Sequence, residues 1–374
     1  MSKLRVMTVL GTRPEAIKLA PVIQRLAADE RVESIVVATA QHRKMLDQVL
    51  RLFNIHPKRD LDLMREDQSL ANLTAAIFTN LDPLLAEYQP DWLLAQGDTT
   101  TVMASALAAF YRQVRFGHVE AGLRTGDKRQ PFPEEINRRV AGVVADLHFA
   151  PTQWAKENLL REGIPENLIR VTGNTIIDAL DQIRKLPMPA EIEKLLSSKK
   201  ILNGERGLIV VTAHRRESFG EPIREVCGAL KVLAEKFGDR LELVYPVHLN
   251  PNIQQPVYEI LGNLPNVTLL PPLEYLPTIH LLMHAKLILT DSGGIQEEAT
   301  GLGIPCLVLR EVTERPEGVQ AGVLKLVGTS SKKIISEASL LLQDEQAYQK
   351  MAHAANPYGD GHAAEHIVSA LLEE

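Results

Sequence analysis

The residues best placed to do chemistry sit in short blocks, each at the end of an apolar run. One is Asp291-Ser292-Gly293-Gly294-Ile295-Gln296-Glu297-Glu298, which follows Leu287-Ile288-Leu289-Thr290. It reads as a buried strand, a tight turn and the start of a helix. Two glycines let a ligand approach the backbone closely. The first amides of a helix have no internal acceptor and lie at the positive end of its dipole. That combination suits a phosphate or diphosphate. Glu298, just over one turn into the helix, is positioned to take paired sugar hydroxyls.

The other blocks supply cations and carboxylates. Gly11-Thr12-Arg13-Pro14-Glu15-Ala16-Ile17-Lys18 offers Arg13 and Lys18 as two fixed positive charges for a diphosphate. It lacks the spacing and the Gly-Lys-Ser/Thr ending of a P-loop, and no dinucleotide fingerprint occurs elsewhere. Asp98 follows an apolar strand in Gln96-Gly97-Asp98-Thr99, where capping a helix would also account for it. Glu120 ends a strand in His118-Val119-Glu120-Ala121-Gly122-Leu123-Arg124. Glu134 and Glu135 open a helix after Pro131-Phe132-Pro133. Three carboxylate sites facing Arg and Lys suggest proton transfers on a sugar or another polyol. Ala213-His214-Arg215-Arg216-Glu217 adds a histidine and two arginines, and Pro246-Val247-His248 a second histidine. Arg315, in Thr313-Glu314-Arg315-Pro316, adds a charge near Ser292-Gly293-Gly294.

The elements that must hold these blocks alternate in an α/β pattern. Apolar strands are predicted at 4–10, 34–39, 92–95, 114–119 and 147–150, with helices between them. Residues 186–206 read as a linker with a short helix. A second series follows, with strands at 208–212, 241–245, 267–269, 287–291, 306–309 and 323–326. Asn356-Pro357-Tyr358-Gly359-Asp360-Gly361 breaks the chain before a last helix. The expected domains are 1–185, 207–355 and a closing segment 356–374. Each main domain carries a parallel sheet by the crossover rule. Ligands bind beyond the carboxyl ends of such strands, here in a cleft between two facing domains.

Composition narrows the class. The chain has 374 residues, 45% hydrophobic and 24% charged, with a formal net charge of -6. That balance argues against a nucleic-acid binder working by bulk charge. The two cysteines, Cys227 and Cys306, lie in apolar runs and read as inert core thiols of a reducing compartment. No clustered ligands suggest a metal. Neither a signal-peptide pattern nor an apolar run of the ~20 residues a membrane span needs is present. A cytoplasmic location is expected.

Taken together, Gly11-Thr12-Arg13-Pro14-Glu15, Gly97-Asp98-Thr99, Val119-Glu120-Ala121-Gly122-Leu123-Arg124, Pro133-Glu134-Glu135, His214-Arg215-Arg216-Glu217 and Asp291-Ser292-Gly293-Gly294 resemble the non-hydrolysing bacterial UDP-N-acetylglucosamine 2-epimerases. The likeness runs in order to Asn356-Pro357-Tyr358-Gly359. It implies a GT-B fold of two Rossmann-like domains, a homodimer, and a last helix crossing back to the first domain. It also implies reversible epimerisation at C2 to UDP-N-acetylmannosamine, by elimination of UDP to 2-acetamidoglucal and re-addition, without a cofactor. The alternatives are a hydrolysing 2-epimerase and a GT-B UDP-sugar glycosyltransferase. By position, Asp98, Glu120, Glu134 and His214 become the catalytic candidates, with the face of C2 each carboxylate serves left open. Arg13, Lys18, His214, Ser292, Gly293, Gly294, Glu298 and Arg315 become UDP contacts, with the uracil near Leu273 and Thr278. Many bacterial members also use UDP-N-acetylglucosamine as an activator, and Gln41, Arg215 and His248 match that second position.

Overall fold

The computed structural model describes residues 3–39, 43–63, 65 and 67–374. Contacts divide the chain into two units, Met1–Asp181 with Tyr358–Glu374, and Gln182–Pro357.

The first unit begins with β1 (Leu4–Leu10), α1 (Arg13–Ala28), β2 (Val32–Ala38), α2 (Arg43–Leu52) and β3 (Arg59–Asp60). It continues through α3 (Leu70–Tyr88), β4 (Trp92–Gln96), α4 (Thr100–Tyr111), β5 (Arg115–Val119) and α5 (Glu134–Val144). The series ends with β6 (Leu147–Ala150), α6 (Gln153–Arg161), β7 (Ile169–Val171) and α7 (Thr175–Ile183). Among the described residues the sheet runs β3-β2-β1-β4-β5-β6-β7, with every pairing parallel. Parallel strands are covered on both faces and so read as unbroken apolar runs. Met7, Val9, Ile35, Val37, Leu93 and Ala95 accordingly belong to one buried cluster.

The second unit holds α8 (Ala190–Ser198), β8 (Gly207–Thr212), α9 (Glu221–Phe237), β9 (Leu241–Pro246), α10 (Pro251–Leu261), β10 (Val267–Leu270) and α11 (Tyr275–Met283). Then come β11 (Leu287–Thr290), α12 (Gly293–Gly301), β12 (Cys306–Val308), α13 (Pro316–Gln320), β13 (Leu324–Leu326), α14 (Ser331–Gln343) and α15 (Glu345–Ala352). Its sheet runs β10-β9-β8-β11-β12-β13, again all parallel. Finally α16 (Ala363–Glu373) packs on α1 of the first unit. The buried Asp178 carboxylate on α7 receives the amides of Ala363 at 3.2 Å and Ala364 at 2.9 Å, filling the place of a helix cap. The Asn174 amide donates to the Tyr358 carbonyl at 2.7 Å.

In each sheet the chain order reverses at one point, between β1 and β4 and between β8 and β11. These switch points are where open parallel sheets offer a crevice at their carboxyl ends. Gly11 and Gly97-Asp98 leave the sheet at the first, and Ala213-His214 and Asp291-Ser292 at the second.

The sequence reading misses three elements. β3 has two residues and β7 three, too few to show a period. α13 is a five-residue helix opened by Pro316. Ser197 and Ser198, expected in a linker, belong to α8, which buries Ile192 and Leu196. Asp291, read as the last strand residue, lies just beyond β11.

Candidate functional site

At the first unit's switch point, two helices are locked together by their own caps. Thr12 caps α1 and Thr99 caps α4. Glu15 closes the capping box, taking the amides of Gly11 at 2.6 Å and Thr12 at 2.7 Å, and it also accepts the Thr99 hydroxyl. Burial pushes the Glu15 carboxyl above its ordinary range, opposed by these donors, of which Thr99 acts most. Gly11 is required here, because a Cβ would collide with the hydroxyls of Thr39 and Thr101. Arg13, the first residue of α1, is half-buried.

One turn on, Lys18 Nζ meets Glu120 Oε2 at 2.7 Å, with both side chains 7% exposed. The Gln96 amide donates to the same carboxylate oxygen. Glu120 sits at φ 64, a left-handed conformation unusual for glutamate. Such strain persists only where the surroundings enforce it, and it gathers at functional sites. On the neighbouring strand end, Asp98 is held by Arg138 at 2.5 Å. The Arg138 guanidinium also reaches Glu135 at 3.3 Å. Asn137 donates to the Asp98 carbonyl at 2.9 Å. Glu134 is the first residue of the same helix, α5. The first unit thus brings Lys18, Asp98, Glu120 and Glu134 to the ends of β4 and β5 and the start of α5. Two carboxylates, each fixed by a buried cation, are suited to taking and returning protons at defined positions.

The second unit builds around Asp291, which is fully buried. One oxygen accepts the amides of His214 at 2.7 Å and Arg215 at 2.8 Å. The other lies 3.3 Å from His214 Nδ1. His214 stacks on His248 with ring centroids 5.6 Å apart. Ser292 caps α12; its amide donates to the Thr290 hydroxyl at 2.9 Å. The amides of Gly293 and Gly294 follow at the first two positions of the helix. Glu298 is buried within α12.

Arg315 lies against Gly293 but is not a lone charge. It pairs with Glu297 at 2.8 Å and Glu314 at 2.7 Å. Glu314 also pairs with Arg310 at 2.8 Å and lies 3.9 Å from Arg215. These arginines hold the Glu314 carboxyl well below its usual range, against the opposing effect of burial. Thr278 spends its hydroxyl on the carbonyl of Glu274, the cap residue of α11, and Leu273 lies on the loop before it. Gln41 lies outside the described residues.

Sequence reasoning missed Gln96, Asn137, Arg138 and Asp291 as site builders. The signal for Asn137 and Arg138 was present: they stand one helical turn after Glu134, on the same face. Among the described residues no cluster of three or more His, Cys, Asp or Glu is placed to hold a metal, and no helix is long and apolar enough to cross a membrane.

Comparison with known proteins follows this geometry. The family described as UDP-N-acetylglucosamine 2-epimerase matches residues 24–372. The UDP-N-acetylglucosamine 2-epimerase of Yersinia pestis is 52% identical over 370 residues, covering 98% of each chain. That of Escherichia coli K12 gives the same identity and coverage. The crystal structure of the Neisseria meningitidis UDP-GlcNAc 2-epimerase bound to UDP-GlcNAc superposes with a TM-score of 0.92 at 47% identity, covering 99% of this chain and 100% of that one. The two parallel sheets are those of a GT-B-like fold. The chain therefore belongs to the UDP-N-acetylglucosamine 2-epimerases, isomerases acting on a nucleotide sugar.

Proposed function

We propose that the enzyme is non-hydrolysing and interconverts UDP-N-acetylglucosamine and UDP-N-acetylmannosamine by elimination and re-addition. The C2 proton is not acidic while the C1–O bond to UDP is intact, since no carbonyl stands beside it. As that bond breaks, C1 becomes oxocarbenium-like and the C2 proton becomes removable. UDP departs and the C2 proton leaves to a carboxylate, giving 2-acetamidoglucal. UDP then returns to C1 while a proton is delivered to the opposite face of C2. No hydride moves, so no nicotinamide cofactor is called for.

Asp98, Glu120 and Glu134 serve as the acid and base groups. Arg13, Lys18 and His214 stabilise charge on the departing UDP. Gly293 and Gly294 bind phosphate through their amides from the cap at Ser292, Glu298 takes the ribose, Arg315 sets the nucleotide position, and Leu273 and Thr278 lie near the uracil. The observation that carries this reading is the pair of carboxylates at adjacent strand ends, Glu120 held by Lys18 and Asp98 held by Arg138.

The test is incubation with UDP-N-acetylglucosamine in deuterated water with no acceptor. Deuterium at C2 of both UDP-sugars is expected. Its absence would overturn the mechanism, and release of free N-acetylmannosamine with UDP would reassign the enzyme as hydrolysing. Turnover only with an added acceptor would point to a glycosyltransferase.

Two further assignments accompany this reading. UDP-N-acetylglucosamine activates its own enzyme through Gln41, Arg215 and His248, supported by the stacking of His248 on His214. UDP-N-acetylmannosamine alone should then turn over slowly and speed up when a little UDP-N-acetylglucosamine is added. The enzyme is also a homodimer. The adjoining helices α4 and α5 leave Phe110, Tyr111 and Val143 60%, 68% and 80% exposed, apolar surface fit for a second copy. Light scattering at the dimer mass is the expected result.

A further inference from the structure

We propose that His118 and Asn137 are positioning residues that fix Asp98 for proton transfer. This rests on the assignment of Asp98 as an acid/base group. At Gly97 the chain leaves β4 with φ 87, so the carbonyls of Gly97 and Asp98 find no partner on a neighbouring strand. Buried carbonyls need donors, and two buried side chains supply them. His118 Nε2 donates to the Gly97 carbonyl at 2.7 Å, and Asn137 Nδ2 donates to the Asp98 carbonyl at 2.9 Å. The two residues are 1% and 3% exposed. On the other side, the Gly97 amide donates to the Val119 carbonyl at 3.0 Å, the residue before Glu120. The peptide bearing Asp98 is thus clamped from β5 and from α5, and its distance from Glu120 is set by the same strand that carries Glu120.

A carbonyl acceptor at Nε2 demands that this nitrogen carry the proton. Nδ1 meets no hydrogen-bond partner among the described residues, which suits a neutral ring. Burial favours the same state. Among the described residues His118 hydrogen-bonds to backbone and not to a carboxylate, so it acts through the placement of Asp98.

The clamp predicts a split between turnover and binding. His118→Phe removes the donor in a similar volume, while His118→Gln restores an N–H. Asn137→Ala removes the second donor without touching the histidine. Each variant is measured for kcat, KM, Kd for UDP and thermal midpoint. His118→Phe should lower kcat at least 30-fold with KM and Kd within twofold of wild type. His118→Gln should recover at least tenfold of that loss, and Asn137→Ala should lower kcat at least fivefold. Wild-type kcat in both His118→Phe and Asn137→Ala would overturn the proposal. So would losses in which affinity for UDP falls in step with kcat, or an absence of rescue by glutamine. If His118→Phe fails to fold, Asn137→Ala alone decides. Asp98→Asn separates the two readings: full activity there removes Asp98 from the chemistry, whereas an inactive Asp98→Asn beside a fully active His118→Phe and Asn137→Ala removes only the clamp.

Discussion

Lys18 and Glu120 form an ion pair of 2.7 Å between α1 and the end of β5, with both side chains almost out of solvent. Removing one member of such a pair leaves the other charge desolvated, a cost of about 3–5 kcal/mol. Lys18→Met should therefore lower the free energy of unfolding in urea by that order. Glu120→Gln keeps the shape but leaves the buried Lys18 without its counter-charge, so a stability loss of the same order is expected. Its exchange of deuterium into C2 should still fall at least ~100-fold, the usual contribution of a positioned acid or base. A Lys18→Met variant within 1 kcal/mol of wild type would remove the ion pair as a determinant of stability.

Asp291 braces the turn at His214 and faces its ring. Its two functions fall on different oxygens: one takes the His214 and Arg215 amides, and the other faces His214 Nδ1 at 3.3 Å. In Asp291→Asn the side-chain oxygen can keep the amides, which turns the NH2 towards Nδ1 and moves the ring proton to Nε2. The fold should survive while kcat falls by on the order of 100-fold or more, the pattern expected when an orienting carboxylate is replaced by an amide. Kd for UDP by calorimetry should change less than fivefold. A kcat within threefold of wild type would show that the proton on His214 does not matter.

Gly293 has no room for a side chain. A Cβ would lie 2.5 Å from Arg315 Nη1 and 2.9 Å from Cζ. That guanidinium cannot swing away cheaply, because Glu297 and Glu314 hold it at 2.8 and 2.7 Å. Gly293→Ala should weaken UDP at least tenfold, about 1.4 kcal/mol, with a stability loss of roughly 1–3 kcal/mol from overpacking. Unchanged UDP affinity would place the diphosphate away from this helix start.

Two buried histidines make stability depend on pH. Burial pushes His118 down to about 4 and His148 to about 3, from an ordinary 6.5. Each is therefore neutral in the folded chain where the unfolded chain already holds a proton. Their contribution is complete above pH 6.5 and is lost as pH falls from there towards the folded values, by up to about 1.4 kcal/mol per pH unit per histidine. His148→Phe removes one of the two. The difference in unfolding free energy between variant and wild type should be constant above pH 7 and should move in the variant's favour between pH 6.5 and 5. A difference flat across that range would show that His148 reaches water.

Much of this architecture is legible from the chain. The alternation of apolar runs and helices gives two parallel α/β units because doubly covered strands carry unbroken apolar sequence. Gly97-Asp98, Glu120, His214 and Ser292-Gly293-Gly294 all fall at strand ends, where the crossover rule sends them to the ligand edge of a sheet. What the sequence does not reveal is pairing. Lys18 meets Glu120 across more than a hundred residues, and no local period foretells it. Arg315 is expected as an added positive charge, yet Glu297 and Glu314 surround it. Glu15 stands in a block read only for its cations, and its carboxylate closes a capping box. In each case a short-range pattern names the residue, and a long-range contact decides its electrical state.

The Asp178 carboxylate, which receives the amides of Ala363 and Ala364, also imposes an order of assembly. On the ribosome Asp178 emerges before any of the second unit, and α16 emerges after all of it. At roughly 5–20 residues per second the interval lasts on the order of ten seconds or more. Throughout it, the surface of α1 that α16 covers stands open. The unit whose synthesis starts first is thus the last to be completed, and chaperone demand should peak while the second unit is still being made.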